Sequence, residues 1–197
     1  MADTPLRQRG FSLVELMVTM VVAVILLAVA VPSFRDLIRR NQVSAASNTL
    51  LASLNYARTE AINRSQLVSI CPSADGASCS AGSKAFEPGW LIYTYPSGAA
   101  SVNQAYTTAA ILLRASTARA GVSIQSSSTE VITFGQQGQL KSRSSASPAL
   151  AFVTCYRDGS SGTGTSTSTV PGAELDVNGS GSVLGKASAV GSACTPS

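Results

Sequence analysis

From Phe11 to Val31 this chain carries 21 residues with one charge among them, Glu15. Coiled as a helix, the run is ~31 Å long, the thickness of a bilayer's hydrocarbon layer, so it is long enough to cross once. A charge within that layer costs about 2.5 kcal/mol or more. Glu15 stands in the first turn, directly after a Gly10-Phe11 junction and a short leader bearing Arg7 and Arg9, and a residue so costly asks for a use.

Two plain readings compete. An ordinary secretory signal has a basic start, an apolar core of about 7 to 15 residues and a small-residue cleavage site, which Ala28-Val29-Ala30 would supply. Glu15 would then disrupt the core that such a signal needs. A simple membrane anchor with an incidental acid near the interface is the other. The mature amino terminus separates the cases, falling at Phe11, at Val31 or at the original start.

The block Arg9-Gly10-Phe11-Ser12-Leu13-Val14-Glu15-Leu16-Met17 resembles the class III signal of type IV pilins and type II secretion pseudopilins. The resemblance implies that a prepilin peptidase cuts between Gly10 and Phe11 and that the new Phe11 amine is N-methylated. It also implies an assembly role for Glu15, which meets the positive amino terminus of a neighbouring subunit while both lie in lipid, neutralising two costly charges and setting the register.

Charge along the chain weakens a nucleic-acid reading. The formal net charge is +4, but Arg7, Arg9 and Asp3 belong to the leader, and residues 33–64 hold five arginines against Asp36 and Glu60. From Ser65 onward seven basic residues face six acidic ones, so long-range attraction to phosphates is weak. The sequence has no histidine, which removes the commonest general base and zinc ligand and every Ser-His or Cys-His pair. No enzyme activity, cofactor or metal is expected.

Four cysteines, Cys71, Cys79, Cys155 and Cys194, all follow the apolar segment and none has C-x-x-C spacing. An even set placed there fits two disulfides in an oxidising compartment, against the alternatives of a metal site or free thiols. Of three pairings, Cys71 with Cys79 and Cys155 with Cys194 is favoured, because each cysteine then closes a loop within its own region. Sequence leaves the pairing open, and peptide mapping decides it.

Pro32 should kink or loosen the helix without ending it. Beyond it Phe34, Leu37, Ile38, Ala45, Leu50, Leu54, Ala57 and Ala61 recur at three- and four-residue steps, an apolar stripe for a helix that reaches about Asn63. Past Ser65, runs rich in Val, Ile, Thr and aromatics predict strands near 67–71, 90–95, 110–114, 121–125, 130–134, 149–156 and 173–177, a spacing that points to antiparallel sheet. The Gly-, Ser- and Thr-rich stretch from Asp158 to Thr169 lacks an apolar anchor and reads as a mobile surface loop. Arg58 and Arg64 read as solvated or cap-associated helix residues, and Trp90 as a core aromatic.

Several segments resemble the GspH/FimT family of minor pilins and pseudopilins. They are Ala57-Arg58-Thr59-Glu60-Ala61-Ile62-Asn63-Arg64, then Val68-Ser69-Ile70-Cys71-Pro72 with Cys79, Gly89-Trp90-Leu91-Ile92-Tyr93, and Ile132-Thr133-Phe134 with Gly138. DNA-uptake members carry a G-R-x-R motif near the end. Its counterpart here, Gly181-Ser182-Val183-Leu184, has serine and leucine for the arginines, so DNA is not a favoured partner.

The expected architecture is α+β. It comprises a leader (1–10), a transmembrane or filament-core helix (11–31), an amphipathic helix (32–64) and a β-rich head (65–197) whose antiparallel sheet packs on the helix. The resemblance implies a minor pilin of a type IV pilus that primes assembly at or near the tip, with other minor pilins and the major pilin as partners. Such a chain sits in the inner membrane with its head in the periplasm, and then in the filament at the cell surface. The alternatives are a DNA-binding minor pilin and a GspH-type pseudopilin of a type II secretion system.

Overall fold

A computed structural model of the chain describes residues 12–96, 98–99, 101–117, 119–141 and 149–196. Its elements are α1 (Leu13–Arg64), β1 (Val68–Pro72), β2 (Trp90–Thr94), β3 (Ile111–Ser116), β4 (Val122–Ser126), β5 (Ile132–Phe134), β6 (Leu140–Lys141), β7 (Leu150–Tyr156), β8 (Ala173–Val177) and β9 (Val183–Ala187). Two compact units divide the chain, Met1–Ile38 and Arg39–Ser197.

In the first unit the described residues are helical from Leu13 and exposed, apart from half-buried Asp36. The helix runs on through Pro32, which lacks one N–H but does not end it. α1 is long and apolar enough to cross a membrane.

In the second unit α1 buries Val43, Ala46, Ser47, Leu50, Ser53, Leu54, Ala57 and Ala61. The stripe passes through Ala46, not the expected Ala45, because steps of three and four from Val43 leave Ala45 on the outer side. Phe34, Leu37 and Ile38 lie before it and are exposed. The helix ends in a Schellman motif: Gln66 N–H donates to the Ala61 carbonyl at 3.2 Å, Ser65 N–H to that of Ile62 at 3.2 Å, and Ser65 takes a φ of 50°.

Two antiparallel sheets follow, ordered β3-β2-β1-β5-β6 and β4-β7-β8-β9. A single core joins them to the helix: Leu50, Leu54 and Ala57 meet Ile70, Ile92 and Phe134 of one sheet and Ile124, Phe152 and Leu175 of the other. Phe86 fills the seam, edge-on to Phe152 with ring centroids 5.1 Å apart and 6.4 Å from Trp90, which is buried as expected. The other face of the first sheet carries Cys71, Leu91, Tyr93 and Tyr95. Tyr93 donates to the Gln104 carbonyl at 2.6 Å, and burial pushes its phenol well above the usual range.

The seven expected strands are present, each within a residue or two. β6 and β9 were not expected, because a two-residue strand has no period and Val-Leu-Gly-Lys-Ala shows no β-branched alternation.

Candidate assembly site

The amino-terminal site is built from Ser12 upward. Its hydroxyl accepts the Glu15 N–H at 3.2 Å and its carbonyl accepts the Leu16 N–H at 3.1 Å, so Ser12 caps the helix. Serine at the cap with glutamate three residues on is a capping-box sequence, and it places the Glu15 carboxylate at the positive end of the helix dipole. Thr19 returns its hydroxyl to the Leu16 carbonyl at 2.9 Å, which satisfies its one donor without water. Around them Leu13, Leu16, Met17, Met20, Ile25 and Leu27 stand exposed, at 54–77%. Each such side chain gains ~1.5–3 kcal/mol when lipid or another helix removes it from water. Gly10 and Phe11 lie outside the described residues.

The head is held first by the two disulfides that the cysteine count led us to expect. Cys71 pairs with Cys79 and Cys155 with Cys194. Within the first loop Asp75 accepts from Ala77 N–H at 2.9 Å, from Ser78 N–H at 2.8 Å and hydroxyl at 2.7 Å, and from the Ser73 hydroxyl at 3.1 Å. These donors, Ala77 foremost, hold its carboxyl well below the usual carboxylate range.

The Gly-, Ser- and Thr-rich stretch is not the loose loop expected. Ser166 donates its N–H to the Ser192 carbonyl, takes the Gly172 N–H on its hydroxyl at 3.0 Å, and accepts the Gly191 N–H at 2.7 Å. Gly164 lies so close to β7 that a Cβ would stand 2.0 Å from the Tyr156 carbonyl oxygen. Backbone pairing and glycine's missing side chain thus do the anchoring that apolar residues do elsewhere. Arg39 lies over the Tyr156 ring at 4.7 Å and 3.6 Å from Asp158, and Arg40 donates to the Thr169 carbonyl, clipping this strap to the helix.

Beneath the strap, Glu87 and Arg157 form an ion pair at 3.2 Å with side chains only 9% and 12% exposed. Glu87 also accepts from Ile124 N–H at 3.1 Å, and Arg157 donates to the Gly162 carbonyl at 3.0 Å. No motif marks either residue, and sequence reasoning passed over both.

Arg64 pairs with Glu60 at 2.5 Å on the helix surface. Arg58 differs from expectation: it is part-buried and donates to the Gly138 carbonyl at 3.1 Å, where the β5–β6 and β8–β9 turns meet. At Gly181, with φ +78°, a Cβ would lie 2.0 Å from that same carbonyl oxygen, so only glycine lets the turns close. The neighbouring Ser182, at the place of the missing arginine, is held by its N–H to Asn178 Oδ1 at 3.0 Å, and Leu184 lies in β9.

A family model described as type II transport protein GspH matches residues 46–181. The chain belongs to the GspH family. A second model, the prokaryotic N-terminal methylation motif, matches residues 5–31 of this GspH-family chain, which include Glu15 and the apolar run. No curated protein matches it.

Two crystal forms of the type IV minor pilin FimU of Pseudomonas aeruginosa share the fold. One has 23% identity over 77% of this chain and 96% of that one, with a TM-score of 0.51. The other has 22% identity over 75% and 98%, with a TM-score of 0.50. The minor pseudopilin EpsH of the Vibrio cholerae type 2 secretion system aligns at 9% identity over 74% and 97%, with a TM-score of 0.44. The pilin-like fold, a long helix with antiparallel sheets and two disulfides, is thereby established for this GspH-family chain.

Proposed function

We propose that this GspH-family chain is a minor pilin of a type IV pilus, cut after Gly10, N-methylated at Phe11, and incorporated at or near the tip, where it primes assembly. The observation that carries the reading is Glu15, a lone carboxylate at the start of an exposed apolar helix and inside the matched methylation motif. In lipid, the mature amino terminus of one subunit and the Glu15 carboxylate of the next each relieve the other's desolvation. On extraction, the same apolar side chains pass from lipid to neighbouring helices. Glu15 then selects the register and apolar burial holds it. The head faces the periplasm until then, the compartment that two disulfides favour.

Deleting the gene and measuring major pilin sheared from the cell surface tests this. Loss of surface pilin, restored when the gene is supplied back, is expected. Unchanged pili would refute the priming role.

A second reading, a pseudopilin of a type II secretion system, is favoured by the matched family's own description. Normal pili with impaired secretion in the same deletion strain would select it. DNA capture is less supported, since Ser182 and Leu184 carry no charge to meet a phosphate.

A further inference from the structure

We propose that the outer edge of β9 is a docking site for an extended strand donated by a neighbouring pilin-like subunit, a proposal that rests on the filament reading above. Among the described residues β9 is the terminal strand of its sheet and pairs only with β8. Asn178 N–H donates to the Ser182 carbonyl and Ser188 N–H to that of Gly172, which sets the phase of the ladder. Residues 184 and 186 therefore turn their backbone groups to β8, and Val183, Gly185 and Ala187 turn theirs outward. The opposite edge of the same sheet is covered: Phe86 N–H donates to the Ile124 carbonyl and Ser126 N–H to that of Lys84. Uncovered edges template pairing with another chain, and proteins that do not use them blunt them, often with lysine; the one lysine of this edge, Lys186, is turned back onto Asp176 and Glu174 of β8 at 2.7 and 3.3 Å.

Beside this edge runs a groove of about 480 Å³ between β9 and helix α1. Its floor is made of small residues, among them Gly172, Ala173, Gly185 and Ala187, and its far wall of Val43, Ser47 and Leu51. A strand added to β9 would send alternate side chains into this groove, and the other set would lie beside Leu184, which is 65% exposed. A row of outward N–H and C=O groups selects an extended backbone rather than a helix or lipid. The groove in turn selects small apolar side chains at every second position.

Size then decides who brings the strand. A five-residue edge buries far less than the ~1,600 Å² of a standard interface, too little to hold a freely diffusing protein. A subunit already held alongside by its own long helix meets the edge at an effective concentration of about millimolar, and for it a small contact suffices. The contact would fix which subunit follows this one.

The test is photocross-linking of the full chain, with p-benzoylphenylalanine at Leu184 in cells that assemble filaments and the same group at exposed Ala77 as control. The expected adduct joins residue 184 to an extended segment of a different pilin-like subunit and is missing from the control. Gly185→Pro deletes an outward N–H while sparing the β8 ladder, and should cut the adduct about tenfold. Ala187→Tyr, which fills the groove without touching the backbone, should do the same. An adduct with a second copy, an adduct indifferent to both variants, or no adduct from a chain that is processed and enters filaments would overturn the proposal. A chain neither processed nor incorporated would instead bring down the filament reading, and this proposal with it.

Discussion

Replacing Glu87 with glutamine should cost the head about 3–5 kcal/mol, the range for breaking a buried ion pair by removing one partner. The side chains of Glu87 and Arg157 are 9% and 12% exposed, so the guanidinium left behind cannot recover its hydration without opening the strap that covers it. With its amide oxygen in the Oε2 position glutamine still accepts the Ile124 N–H and turns its NH2 toward Arg157, so the loss falls on the ion pair and spares the backbone contact. The single tryptophan, Trp90, is buried in the head and reports its unfolding without interference from the apolar helix. Urea titration of the full chain in non-ionic detergent, followed by that fluorescence, should show a lower midpoint with an unchanged slope. In a thermal scan the same loss appears as a fall of roughly 6–20 °C. Joint replacement of Glu87 and Arg157 by Leu and Met should recover only part of the loss, because an apolar pair needs no counter-ion but leaves the buried Ile124 N–H without its acceptor. A Glu87→Gln cost below about 1 kcal/mol, the level of an exposed pair, would refute the reasoning.

Glu15→Ala should leave the chain processed but poorly incorporated, seen as normal mature protein in membranes with depleted filaments; normal incorporation would end its assembly role. A bulky residue in place of Gly10 should accumulate uncut precursor on immunoblots, and efficient maturation would refute the leader assignment. Removing both Cys155 and Cys194 opens a link with sequence separation 39, and chain entropy puts the loss at ~4 kcal/mol by the same urea assay. The Asp75 carboxyl has a folded pKa below its ordinary 3.8, so the loop's added stability is present above about pH 4 and is lost as pH falls through the folded value. Carboxyl-carbon NMR should therefore find Asp75 still ionised at about pH 3, where an ordinary aspartate is mostly protonated; protonation with the bulk would contradict the hydrogen bonds drawn to it.

What could be read from residues alone was what depends on local period and cost. A 3.6-residue stripe, a lone acid in an apolar run and the order of a few short segments stand in the chain whatever its tertiary contacts. From these came the long helix, seven strands and the family. β9 and the anchored strap were illegible for the opposite reason. Lys186 sits in a strand because its backbone pairs with Glu174 of β8, where its ammonium also meets Asp176 at 2.7 Å, and Ser166 is fixed in part by groups more than twenty residues away. Nothing in their neighbours announces either.

By itself the sequence determined that the chain has a segment fit for lipid, with a carboxylate at its start, and a β-rich region closed by cysteines, because periodicity and desolvation act on each stretch separately. Only the tertiary structure decided which cysteines pair, that Arg58 closes two turns, that Glu87 meets Arg157 beneath the strap, and that the described residues leave the outer edge of β9 unpaired. Those depend on which distant groups share a low-dielectric interior or a free backbone edge, and such coincidences are settled by packing.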